Sequence, residues 1–310
     1  MAQIAATLQT AINRPATRAE RLDIPRRLTL ASAAVVVLLV GLLLSFIAWN
    51  GTQVFLKSGF GLAQILTPTW NPSSSVDVQF GILPFIFGTL GVMIVAAIIA
   101  APLSIGLAAF MSEVAPDWAR SITRPAMEVF VGIPSVVYGW LGLTILVPFL
   151  GENFRWLGFQ TGFSWFAGSL VLALMILPTI TSIAYDVFLA VPQDLRTGSL
   201  ALGTTRWQSI RHIVVPAATG GLLTAIVLGM MRAAGEALAV QMVIGNTAVI
   251  PTSLTKPMTT LTSQITLDMG NTVQGEPWNE VLWTMGLVLL LMSFGFVLLV
   301  RYLGRPKAVR

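Results

Sequence analysis

Arg232 and Glu236 stand four residues apart inside the apolar run Val215–Ile244, a spacing that puts both on one face of a helix. An arginine in the hydrocarbon of a bilayer costs about 2.5–3.5 kcal/mol on insertion scales, so such residues face a cavity or a partner and mark an ion or substrate path. The guanidinium offers five donors in a fixed fork, well matched to a tetrahedral oxyanion. The spacing predicts that Glu236 neutralises Arg232 at rest and that an anion competes for the guanidinium; a self-satisfied pair that only packs the helices is the alternative. Gly132-Ile133-Pro134-Ser135 is a second candidate. A break there opens a helix end whose free N–H groups attract anions, with Ser135 and Tyr138 adding hydroxyls, unless the proline only kinks the helix for packing. Glu128 reads as a structural residue near a span end.

Other chemistries lack their parts. No cysteine is present, which excludes disulfides, thiolate metal sites and cysteine nucleophiles. The sole histidine, His212, has no metal-ligand cluster around it. None of the three lysines, Lys57, Lys256 and Lys307, stands in a G-x-x-x-x-G-K-[ST] context, so ATP must bind on another chain. There is no nucleophile–base–orienter set, which argues against an enzyme.

The elements that position these residues are membrane spans. The chain has 310 residues, 55% hydrophobic and 10% charged, against roughly 25% charged in soluble domains. Apolar runs lie at 28–48, 81–110, 125–150, 166–191, 215–244 and 281–300, each long enough to cross about 30 Å of hydrocarbon. The prediction is an all-α integral membrane protein with six transmembrane helices. Its parts are a cytoplasmic arm (1–27), a first helix with an outer loop (28–80), a core (81–303) and a cytoplasmic tail (304–310). The first run is too long for a signal-peptide core and is read as retained. Pro102, Pro134, Pro178 and Pro216 each free a backbone carbonyl, tolerable in lipid only inside a packed bundle.

With the N-terminus inside, 14 Lys and Arg residues fall on inner segments and three on outer ones, so both termini are expected in the cytoplasm. The basic balance thus reports topology, and no basic patch on a soluble domain speaks for nucleic acid. The outer loops 49–80 and 246–280 are long enough to be either covers or docking surfaces.

The inner stretch 192–216 reads as two short helices meeting at a glycine. Pro192 starts the first, Gly203 ends it in a left-handed turn, and Thr204 or Thr205 caps a second that runs to Pro216. Trp207, Ile210 and Val214 form an apolar stripe beside Arg206 and Arg211. From pattern alone, an interfacial helix lying on the membrane fits equally well. Gly203, nine residues, Ile213, one residue and Val215-Pro216 resemble the "EAA" signature of ABC importer permeases, EAA-x3-G-x9-I-x-L-P. The triplet is here Thr197-Gly198-Ser199 and the final leucine is Val215.

Met111-Ser-Glu-Val-Ala-Pro116, Gly132-Ile-Pro-Ser-Val-Val-Tyr-Gly139, Arg232-Ala-Ala-Gly-Glu-Ala-Leu-Ala-Val240 and Ile244-Gly-Asn-Thr247 are similar to the permease subunits of phosphate-specific ABC importers, the PstC type more than the PstA type. The resemblance covers about residues 80–303. It implies a type I ABC importer permease fold in the bacterial cytoplasmic membrane, with no cofactor on this chain. It implies partners too: a second six-helix permease, two cytoplasmic ATPases holding ATP and Mg, and an external phosphate-binding protein. Gly203, Thr204, Thr205, Arg206 and Trp207 would then meet an ATPase, and Arg232, Glu236, Ser135 and Tyr138 would line the path of phosphate. The competing readings are a secondary carrier or channel for an anion, an ABC permease for another oxyanion or nutrient, and a purely structural scaffold.

Overall fold

The computed structural model describes residues 24–73 and 78–303; of residues 24–27 and 303 it describes the backbone. The arm residues Arg14, Arg18 and Arg21 and the tail residues Arg305, Lys307 and Arg310 lie outside these. Compact units divide inside the first helix, at Trp49/Asn50.

Up to Trp49, the N-terminal unit is described by one helix, α1 (Ile24–Leu56). Its apolar side chains, Val37 and Leu43 among them, are exposed, as suits a helix whose solvent is hydrocarbon. At 1.5 Å per residue its 33 residues extend about 50 Å, longer than the bilayer core. The last turns of α1, expected as loop, belong to the second unit.

Among the described residues, the second unit, Asn50–Arg310, consists of helices, one two-stranded sheet and their connecting loops. It begins with the end of α1, the short α2 (Leu62–Ile65) and strands β1 (Trp70–Asn71) and β2 (Gln79–Phe80), paired antiparallel with Trp70 opposite Phe80. Then come α3 (Leu83–Ala109), α4 (Asp117–Gly132), α5 (Ser135–Leu141), α6 (Val147–Asn153) and α7 (Trp165–Leu189). The chain continues through α8 (Gln193–Ala201), α9 (Arg206–Ser209), α10 (Val215–Ala234), α11 (Leu238–Ile244), α12 (Leu261–Asp268) and α13 (Pro277–Leu303). Among the described residues, six helices are long and apolar enough to cross a membrane: 28–56, 83–114, 135–153, 165–189, 206–234 and 277–302. The expected all-α, six-span architecture is therefore present.

Helices α3, α7 and α10 form the centre. Ala96, Ala100, Ile176, Ile180, Ala184, Phe188 and Ala225 are completely buried there. Ser104 Oγ of α3 and Thr181 Oγ1 of α7 both donate to the Leu177 carbonyl, beside Pro178. The Ser104 hydroxyl thereby ties α3 to α7.

Two expected spans are drawn differently. The run 125–150 is not one helix: Ile133 and Pro134 are extended, with ψ near 130°, and they separate α4 from α5. α4 has no buried residue and one markedly apolar face, because Arg120, Ser121, Arg124 and Glu128 interrupt its hydropathy at helical spacing. The run 215–244 divides at Gly235-Glu236-Ala237 into α10 and α11. Conversely, Pro216 ends nothing. A π turn over Ile210–Val214 joins α9 to α10, and the proline follows it directly in the first turn of α10.

Residues of both long loops share a core of their own. Val54, Ile65, Phe80, Ile82 and Phe85 pack with Leu261, Val281, Leu282 and Met285. The segment after α11 runs under this layer, with Leu261 N–H donating to Thr89 Oγ1 of α3 at 3.0 Å, and Thr284 Oγ1 of α13 reaches the Gly51 carbonyl at 2.9 Å.

Candidate functional site

Arg232 lies two residues before the end of α10, at the junction with α11. Its side chain is exposed on this chain, and among the described residues its one hydrogen bond is a long one, Nη1 to Thr179 Oγ1 at 3.4 Å. The expected pairing with Glu236 is not made. The ion pairs among the described residues are Arg120–Asp117, Arg124–Glu128 and Arg196–Glu113. The reason is the break: residues 235–237 leave the helix, so four residues of separation no longer place two side chains on one face. Glu236 Oε1 instead accepts from the Ala239 N–H at 3.3 Å, a carboxylate at the start of α11, where the helix dipole favours it. The Glu236 carbonyl, freed by the break, accepts from Thr262 Oγ1 of α12 at 2.7 Å.

The two breaks meet. α5 packs on α11, and Gly139 of α5 allows the contact, since a β-carbon there would lie 2.8 Å from Ala239 Cα. Tyr138 of α5 donates its hydroxyl to the Phe130 carbonyl at the end of α4, 2.9 Å away, and so spans the 133–134 break. Arg232 lies within electrostatic reach of this tyrosine. Ser135 opens α5, half-buried one turn before Tyr138. The structure thus gathers Arg232, Tyr138 and Thr179 and turns the Glu236 carboxylate aside. Thr179 was not singled out by the sequence, although its place beside Pro178 in α7 was a signal.

At the opposite end, 192–216 has the expected helix–glycine–helix form. Pro192 precedes α8, Gly203 has φ +82°, and Thr205 caps α9. Thr205 Oγ1 accepts from the Gln208 N–H and the Gln208 side chain accepts from the Thr205 N–H, a reciprocal cap. Thr204 Oγ1 holds the Ser199 carbonyl at 2.8 Å, and the Ser199 and Ser209 hydroxyls are 2.6 Å apart. The apolar stripe splits: Ile210 and Val214 are buried, whereas Trp207 is 67% and Leu202 is 86% exposed beside exposed Arg206. His212 is exposed and its Nδ1 meets only the Gln208 carbonyl.

Among the described residues, six membrane-length helices, two helix breaks and, at one of them, an arginine with no carboxylate on it define a polytopic membrane protein. Residues 100–307 match the model of the binding-protein-dependent transport system inner membrane components, and the chain belongs to that family. It is 51% identical over 289 residues to the probable ABC transporter permease YqgH of Bacillus subtilis, covering 93% of this chain and 92% of that one. It is 36% identical over 290 residues to the phosphate transport permease PstC of Xylella fastidiosa, covering 88% and 87%. Among solved structures, a bacterial ABC transporter involved in alginate import matches with a TM-score of 0.62 at 18% identity, over 92% of this chain and 98% of that one. An inward-facing methionine transporter matches with a TM-score of 0.54 at 19% identity, over 72% and 96%. The fold is that of a type I ABC importer permease, and the chain is a transport subunit.

Proposed function

We propose that this permease passes inorganic phosphate by Arg232, with Tyr138, Thr179 and Ser135 lining the route and Glu236 anchoring the helix junction. The observation that carries the reading is an exposed arginine at a break in a spanning helix, with no carboxylate on it. Left against lipid it would be strongly unfavourable, so a sister subunit and a water-filled path must cover it. A guanidinium held by a single neutral hydroxyl is free to receive an oxyanion bidentately and to release it. The PstC relatives, by name phosphate permeases, support phosphate over other oxyanions.

The partners in this reading are a second six-helix permease, an external phosphate-binding protein and two cytoplasmic ATPases that hold ATP and magnesium. Gly203, Thr204, Thr205, Arg206 and Trp207 form the ATPase contact. In proteoliposomes containing all components, uptake is expected to require ATP and binding protein and to resist excess sulfate and molybdate. Uptake by this chain alone would show a secondary carrier or channel, and competition by sulfate would show a permease for another oxyanion.

In this reading the chain is a bacterial inner-membrane protein whose α8–α9 segment and both termini face the cytoplasm, an orientation that the Lys and Arg distribution supports. The natural chain has no cysteine, so Leu202→Cys, at a strongly exposed position, provides one unique thiol. A membrane-impermeant maleimide is expected to label it in inverted vesicles and not in intact cells; the opposite pattern would reverse the topology.

A further inference from the structure

Arg196 is the most heavily engaged cation among the described residues. It projects from α8, and its guanidinium donates to Glu113 through Nε (3.2 Å to both oxygens) and Nη2 (2.9 Å), to the Val191 carbonyl through Nη1, and to the Phe188 carbonyl through Nη2 at 2.6 Å. Both side chains are largely buried, with 14% and 11% of their surface exposed. Three elements are thereby fixed at one point: α8, the C-terminal end of α7, and the π turn Phe110–Val114 that closes α3 and carries Glu113. The same turn is held from its other side, where Arg120 of α4 donates to the Met111 carbonyl at 2.8 Å and the Ser112 carbonyl at 3.3 Å. Near the C-terminal end of α4, the Phe130 carbonyl receives the hydroxyl of Tyr138, which lies within electrostatic reach of Arg232.

We infer that the Arg196–Glu113 pair is the strut through which movement of α8 drives the bundle, with the 110–114 turn relaying it by way of Arg120 and α4 to the Arg232 junction. Arg196 and Glu113 are positioning residues in this scheme; neither meets the transported ion. The physical basis is stiffness. A bidentate guanidinium–carboxylate pair with its remaining donors on carbonyls has one geometry, and burial shields it from salt and water. A rigid α8 locked to the inner ends of α3 and α7 must carry them when it is pulled, whereas an α8 resting on apolar contacts alone could slide. A π turn suits the receiving end, because its widened ring is a local irregularity able to change its winding.

The inference rests on α8–α9 meeting an ATPase, and the experiment separates the two. In proteoliposomes with sister permease, ATPase and binding protein, phosphate imported per ATP hydrolysed is measured for wild type, Glu113→Gln and Arg196→Lys. Glutamine keeps the shape without the charge; lysine keeps the charge without the fork. Both variants are expected to retain the ATPase on co-purification and to continue hydrolysis, while phosphate per ATP falls at least tenfold. The double variant is expected to be no worse than the poorer single one, as befits two residues of one link. If either variant imports phosphate at the wild-type ratio, or if both lose the ATPase on purification, the strut is overturned. If wild type itself shows no ATP-dependent import, the underlying functional reading fails instead.

Discussion

Arg232→Gln is expected to reduce ATP-dependent phosphate uptake by roughly ten- to a hundredfold while leaving the complex assembled. A hydrogen bond to a charged partner is worth about 1.5–3 kcal/mol, and each 1.4 kcal/mol is a factor of ten. Glutamine reaches the same region but presents one neutral amide in place of a charged fork. The side chain is exposed on this chain and holds only a 3.4 Å contact to Thr179, so its removal leaves no buried partner unsatisfied and folding is expected to survive. Arg232→Lys, which restores charge without the planar pair of donors, should recover part of the uptake and lose discrimination against sulfate. Unchanged uptake by Arg232→Gln would remove the arginine from the path and return the structural-scaffold reading.

Gly88→Ala is expected to have a comparable effect by another route. A β-carbon on Gly88 would stand 1.8 Å from the Thr259 carbonyl oxygen and 2.9 Å from its carbon. The obstacle is backbone, so no rotamer relieves it, and α3 must separate from the segment leading into α12. That separation breaks the Leu261–Thr89 hydrogen bond and opens a region where Thr259, Leu261 and Ser263 are completely buried. Overpacking a filled core costs about 1–3 kcal/mol when side chains can yield; here they cannot, and loss of monodisperse protein in size-exclusion chromatography is the expected readout. Gly106→Ala on the same helix is the control, since nothing lies within 4 Å of its added methyl. Equal behaviour of the two variants would contradict the packing described.

The six spans were legible because a bilayer imposes length and hydropathy on every crossing. The α8–α9 segment was legible because Pro192, Gly203 and Thr205 act through local backbone chemistry that needs no neighbours. The breaks at 133–134 and 235–237 differ in kind. Pro134 announced the first, although its consequence, a separate α4, was hidden by the apolar residues that α4 shares with a span. The second carried only Gly235 as a signal, and its cause is tertiary: Thr262, on a distant segment, satisfies the carbonyl released at Glu236. Reading Arg232 and Glu236 as one helical face failed for that reason. The Arg196–Glu113 contact joins residues 83 positions apart, beyond any periodicity, and Thr179 was passed over because a threonine beside a proline in a span reads as packing.

The loop layer also fixes the order in which the molecule is completed. Its core draws on residues 54–85 and on Leu261, Val281, Leu282 and Met285, and its longest tie, Thr284 to Gly51, closes a loop of 233 residues. Ribosomes add about 5–20 residues per second, so Val54, Ile65 and Phe80 wait roughly 10–50 s for the helix that covers them. The central helices can pack during that interval, whereas this layer is sealed only once α13 is made. A chain that lacks α13 therefore leaves bare an apolar surface that Val281, Leu282 and Met285 otherwise cover.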